Sequence, residues 1–255
     1  MYILDDIAHK NRLLRVNPKL KVIFALLLLL ISLFSKSFVV PILIFAIMFV
    51  LTLYALDKKV YPIYLGLIGS IIAFGLFNLI FMGVWYGNDV IFKLGFITFK
   101  KTGLNMGILV FSRILGCSSC MLFMALTTPI HQLFKILQEL KFPSIFIDMV
   151  LMMYRYIFVL LDELTNMKNA AEVKLGFKNI KTSYKSLGII LANLFIRAWN
   201  KGEKIYIAME SRNYDGTFKT LEDIDNPKSI YIIVVVLMGL FLILLAYLTK
   251  NIKVF

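Results

Sequence analysis

The chain has 255 residues, 60% of them hydrophobic, and its mean hydropathy of +0.83 lies well above that of a soluble domain. Its 28 Lys and Arg against 15 Asp and Glu give a net charge of +13. Those cations sit mostly between apolar stretches, where the cytoplasmic bias of membrane-protein loops accounts for them and a nucleic-acid partner is not needed. Composition therefore predicts an all-α integral membrane protein and argues against a soluble enzyme or a nucleic-acid-binding domain.

The first twenty residues are polar and basic, with no cleavable leader pattern, so the first apolar run is expected to stay in the mature protein. Lys10, Arg12, Arg15, Lys19 and Lys21 crowd the approach to that run and predict a cytoplasmic N-terminus. Four spans are expected in the N-terminal membrane domain, residues 1–126: about 20–34, 38–56, 63–81 and 103–126. In the third span Gly66, Gly69 and Gly75 are spaced for close helix contact. The segment from Gly83 to Lys101 loses its apolar continuity and partly alternates, which predicts an external loop with a small hairpin.

The fourth span carries Arg113 near its middle. An arginine at that depth costs about 2.5–3.5 kcal/mol on insertion scales, so it is expected to face protein or water. Two readings stand: an internal hydrogen bond that fixes helix packing, or a contact with a transported substrate. Cys117 and Cys120 in the same span have no second cysteine pair and no neighbouring histidine, so they read as small residues at a helix contact and not as metal ligands. No metal site is expected in this chain.

From 127 to 229 the hydropathy falls, and the segment holds 14 of the 28 basic residues. Coming after an even number of spans, it is expected to be a cytoplasmic domain of three helices. The first opens at Pro129, behind threonines suited to capping, and ends near Leu140. The second starts after Pro143 and runs long, toward Gly176. The third includes Arg197 to Gly216, reads RAWNKGEKIYIAMESRNYDG, and is expected to end near Asp215 and Gly216. Wound at 3.6 residues per turn, it places Arg197, Lys201, Lys204, Ala208 and Arg212 on a cationic side and Phe195, Trp199, Tyr206 and Met209 on an apolar one. Such a helix can lie in the membrane interface, pack in a core or be presented to a partner protein. A last span, residues 230–248 within a closing segment 230–255, brings the expected total to about five and leaves the C-terminus outside.

Catalytic patterns are missing. No GxxxxGKS or GxxxxGKT phosphate loop, HExxH or GxSxG occurs, so the chain is not expected to hydrolyse ATP or to act as an enzyme. The expected spans hold essentially no acidic residues of the kind that ion-coupled carriers use, so the driving force must come from elsewhere.

Four segments then carry a family likeness: NPKLK at 17–21, TTPIHQLFKILQELKFP at 127–143, MMYRYIFVLLDE at 152–163 and KGEKIYIAMESRNYDG at 201–216. Together, and in this order, they resemble the transmembrane T component of energy-coupling factor ABC importers, in its cobalt/nickel-type branch. The resemblance implies a subunit that couples two cytoplasmic ABC ATPases to a substrate-capturing membrane subunit within the lipid bilayer. ATP is then bound by the partners, with no cofactor in this chain. The family's coupling helices insert short x-Arg-x motifs into grooves on the ATPases. Ser211, Arg212 and Asn213 match the second such motif. Where the first would stand the chain reads AAEVKLGFK, with Lys174 as the nearest cation. The resemblance extends ATPase coupling to Arg197, Lys201 and Lys204, and implies that Phe195, Trp199, Tyr206 and Met209 pack on the long second helix or on the substrate-capturing partner. Cobalt or nickel is the substrate implied first, a vitamin second. A membrane scaffold or signalling protein without transport is the alternative of another class.

Overall fold

The computed structural model describes residues 7–8, 11–85, 90–94, 97–140, 142–214 and 229–249. Lys10, Asn88 and Asp89, Asp215 and Gly216, Pro227 and Lys228, and the last residues 250–255 lie outside them. The described elements are α1 (Pro18–Phe34), α2 (Val39–Ala55), α3 (Tyr61–Trp85), β1 (Val90–Leu94), β2 (Ile97–Lys100), α4 (Lys101–Thr127), α5 (Ile130–Glu139), α6 (Ser144–Val173), α7 (Ile180–Glu210) and α8 (Ser229–Leu248), with single 3-10 turns at Arg12–Arg15 and Lys58–Val60. Among the described residues the protein is thus all-helical apart from one antiparallel β1–β2 hairpin, which falls in the segment where a hairpin was expected.

Among the described residues, three segments are long and apolar enough to cross a membrane, Lys58–Trp85, Lys101–Thr127 and Tyr231–Leu248, and Val39–Ala55 is apolar but shorter. At 17 residues each, α1 and α2 rise about 25 Å, close to a hydrocarbon core. Local chemistry explains the helix bounds. Asn17 accepts a 2.9 Å hydrogen bond from the Lys19 amide and Pro18 opens α1 with φ already set. The third span runs four residues past its expected end because Phe77, Phe81 and Trp85, one turn apart, stack at 6.5 and 5.3 Å and carry the helix onward.

The chain divides into two compact units, Met1–Leu133 with Asp223–Phe255, and Phe134–Glu222. In the first, α4 is the central helix. One apolar cluster joins Ala25 and Leu28 of α1, Val40, Ile44 and Met48 of α2, Cys120 and Phe123 of α4, and Leu242 of α8. A second joins Leu56, Tyr64, Ile68 and Leu126 with Ile7. Lipid is as apolar as these side chains, so close packing and buried hydrogen bonds hold the unit together. Gly116 shows how close: a Cβ there would lie 2.5 Å from Ser32 Oγ and 2.9 Å from the Pro41 carbonyl. Gly75 likewise admits Phe111, whereas Gly66 and Gly69 meet nothing within 4 Å.

The second unit is built on a helical hairpin, α6 followed by α7. Three polar ties run along it. At the turn Ser186 Oγ donates to the Gly176 carbonyl at 2.9 Å, midway Lys201 Nζ meets Glu163 Oε1 at 2.9 Å, and at the open end Tyr214 Oη donates to Asp148 Oδ2 at 3.0 Å. Their regular spacing in sequence defines an antiparallel pair. Phe134 of α5 joins the same unit edge-on to Tyr154, which in turn meets Phe158.

Candidate functional site

Arg113 resolves first. Its Nε and Nη2 both donate to the Ser35 carbonyl, at 3.2 and 2.6 Å, where α1 has just ended. Ser35 Oγ donates in turn to the Ser37 carbonyl, and both serines are buried. The guanidinium therefore holds the α1–α2 turn against α4, which is the packing role. Cys117 does similar work, its Sγ lying 3.5 Å from Ser32 Oγ, and both cysteines are free.

A second set of ties escaped the sequence reading. Lys21 Nζ donates to the carbonyls of Leu13 and Thr127 at 2.9 and 3.0 Å, and Asn11 Nδ2 reaches Ala8 and Thr127 at 2.6 and 3.1 Å. Together they satisfy carbonyls that the end of α4 leaves open and bind the N-terminal segment to it. Lys21 lies inside the NPKLK stretch, so its spacing offered a signal. Its burial did not show in the sequence, where it counts as one more cytoplasmic cation.

The charged region centres on the ends of α6 and α7. The third helix of the domain stops at Glu210, short of the expected 215–216, and Arg212 lies beyond the helix and not on its cationic stripe. The reason is the capping geometry. The amides of Asn213 and Tyr214 donate back to the carbonyls of Glu210 and Met209, at 3.0 and 3.1 Å, and Asn213 takes a left-handed φ of 55°. The end of α6 repeats this geometry: Leu175 and Gly176 donate to the carbonyls of Glu172 and Ala171, at 2.9 and 2.8 Å, and Leu175 has φ 56°. Lys174 and Arg212 each immediately precede the left-handed residue, so they hold the same place in two copies of one turn. Both are exposed, and neither side chain has a hydrogen bond or ion pair among the described residues. Because Gly176 lies beside Ser186 and Arg212 is 26 residues further along, the two turns stand roughly 40 Å apart at 1.5 Å per residue.

The two copies are not equal in strain. Asparagine is accommodated in the left-handed region, whereas leucine there costs about 1–2 kcal/mol. The glycine next to it cannot be exchanged for comfort, since a Cβ on Gly176 would lie 2.6 Å from Ser186 Oγ and 2.8 Å from the Ala171 carbonyl.

The remaining predicted residues divide. Arg197 and Lys204 are exposed on α7, whereas Lys201 turns inward and pairs with Glu163, bracing the hairpin. Among the expected packing residues only Met209 is half-buried. Phe195, Trp199 and Tyr206 are 68%, 69% and 66% exposed, so they do not pack on the long second helix. The stripe of α7 turned inward is instead Ile190, Leu194, Ala198, Lys201, Ile205 and Met209, rotated about 100° from the aromatic one. It runs between the cationic and aromatic sides and leaves both open. Tyr214 and Asp148 were also missed, although a lone carboxylate in the run SIFIDMVLMMY demands a partner.

The apolar helices of the first unit define a membrane protein, and the described residues display no convergent catalytic groups. A family model described as cobalt transport protein, CbiQ, matches residues 9–222, and the chain belongs to that family. An uncharacterized protein of Methanocaldococcus jannaschii is 49% identical, covering 98% of this chain and 94% of its own length. A protein named as a fused cobalt transport protein, CbiMQ, of Methanocorpusculum labreanum is 34% identical over 87% of this chain, which spans 38% of that longer protein. The energy-coupling factor transporter transmembrane protein EcfT of Streptococcus equi subsp. equi is 29% identical over 89% of this chain and 90% of its own. The chain is therefore a membrane component of an energy-coupling-factor-type transporter.

Proposed function

We propose that this chain is the energy-coupling membrane subunit of an ATP-driven importer for cobalt or nickel ions, with its N-terminus and the α5–α7 region in the cytoplasm. Two ABC ATPase subunits bind the nucleotide and hydrolyse it. The Lys174 turn grips one of them and the Ser211–Arg212–Asn213 turn grips the other. The observation that carries this reading is the repeated turn, one copy toward each end of a hairpin braced by three polar ties.

A protruding turn with an unpaired cation at its tip can enter a groove on another protein and meet carboxylate or carbonyl acceptors there. Arginine does this with a planar fork, lysine with a single point charge. When the ATPases close on nucleotide, the two grips move relative to each other and the braced hairpin passes the displacement on as a lever. The open face of Phe195, Trp199 and Tyr206 then receives the substrate-capturing membrane subunit, which holds the ion. Exposed Arg197 and Lys204 add long-range attraction toward the ATPases.

Reconstitution in liposomes tests the reading. The chain, the ABC ATPase subunits and the metal-capturing membrane subunit together, oriented with the ATPases in the lumen, are expected to take up cobalt or nickel when ATP is enclosed in the liposomes, and to lose uptake when any one is left out. Uptake at the same rate without this chain sinks the proposal.

A further inference from the structure

Stability alone favours glycine or asparagine at position 175, because the residue there is left-handed with φ 56°. A leucine recovers that cost only where something buries its side chain. Among the described residues nothing does: Leu175 is 67% exposed and Val173, two residues before it, is 85% exposed. The cation between them is a lysine, which lacks the bidentate fork that Arg212 offers at the equivalent place. At the second turn the flanking residues are Ser211 and Asn213, polar and unstrained by comparison. So the first turn replaces an arginine between polar neighbours with a lysine between two exposed aliphatic side chains, and holds one of them in a conformation leucine disfavours. Backbone strain at an exposed position points to use of that position.

Resting on the assignment of both turns as ATPase grips, we propose that Val173 and Leu175 are apolar anchors of the first contact and that Leu175 determines which ATPase groove fits it. The groove that receives this turn is walled by aliphatic or aromatic side chains, with a carboxylate or carbonyl acceptor at its mouth for Lys174 Nζ. Burial of the two aliphatic side chains supplies the affinity that a lysine alone does not, as centrally buried anchors do at other interfaces.

The test uses the intact chain in detergent and, as binding partner, the purified ABC ATPase subunit that co-purifies with the parent. Leu175→Gly removes the anchor and relieves the strain, so the two readouts move in opposite directions. The thermal midpoint of the chain rises by about 2–4 °C, while affinity for the ATPase falls roughly tenfold. Leu175→Met keeps an apolar anchor and holds the parent affinity. A Leu175→Gly chain that binds as tightly as the parent, or that melts lower, overturns the inference, and so does a Leu175→Met chain that loses binding. Arg212→Glu, measured beside them, separates this from the broader reading. Binding lost there but kept in Leu175→Gly removes only the anchors, whereas binding kept in Arg212→Glu removes the grips themselves.

Discussion

Tyr214→Phe isolates the clasp that sets the Arg212 turn. Asp148 is 4% exposed, and its Oδ2 accepts the phenol at 3.0 Å from a residue that follows the turn directly. Hydrogen bonds to carboxylates contribute about 1.5–3 kcal/mol. Tyr214 is 37% exposed, so solvent takes part of that and about 1.5 kcal/mol is the fair figure. That corresponds to a roughly tenfold rise in the open population of the turn. The Lys201–Glu163 and Ser186–Gly176 ties are untouched, which confines the effect to one end of the hairpin. Amide hydrogen exchange reads it directly, because the Asn213 and Tyr214 amides are the donors that close the turn. Their exchange is expected to speed about tenfold, while the Gly176 amide, bonded to Ala171 at the other end, keeps its rate. Equal rates at 213 and 214 in both proteins, or the same acceleration at 176, would refute the clasp.

Three further perturbations probe the rest of the frame. Gly116→Ala drives a methyl group onto Ser32 Oγ and the Pro41 carbonyl and is expected to destabilise by about 1–3 kcal/mol in detergent melts. Gly66→Ala, with open space around it, changes stability by no more than about 0.5 kcal/mol, and indistinguishable melts for the pair count against the α4 packing. Arg113→Leu removes both bonds to Ser35 and lowers stability by about 1.5–3 kcal/mol without altering which ion is taken up, so a changed ion preference in uptake assays contradicts the packing role. A double-mutant cycle on Glu163 and Lys201, whose side chains are 24% and 33% exposed, is expected to give a coupling of about 0.5–1 kcal/mol, with ATPase binding retained in Lys201→Ala. Binding lost there returns Lys201 to the ATPase surface.

Helix positions were largely legible because the apolar runs, Pro18, Pro129 and Pro143 mark them in the sequence. What the periodicity of α7 could not show is which side its neighbour takes. An apolar stripe built on Phe195, Trp199 and Tyr206 looks like a packing face. The real one contains Lys201, and a hydropathy count passes over it because the compensating Glu163 is 38 residues away. Arg212 was found from the motif yet assigned to the helix, since nothing local reveals that Asn213 takes the left-handed conformation. The equivalence of Lys174 and Arg212 was the least legible feature. AEVKLG and MESRNY share little beyond a glutamate two places before the cation, and only the hydrogen-bond pattern shows that they form one turn. Arg113 shows the opposite case: depth in the membrane required a partner, and the only open matter was which one.

The most direct measurement places a photo-crosslinking amino acid at 172 in one preparation and at 210 in another, exposed positions two residues before each cation, each in the complex with ATPase and substrate-capturing subunits, and identifies the adducts by mass. The account predicts ATPase adducts from both positions, made at corresponding grooves of two ATPase subunits and suppressed when Arg212→Glu or Lys174→Glu is introduced beside the probe. Adducts to lipid alone, or to the substrate-capturing subunit at both positions, would contradict it.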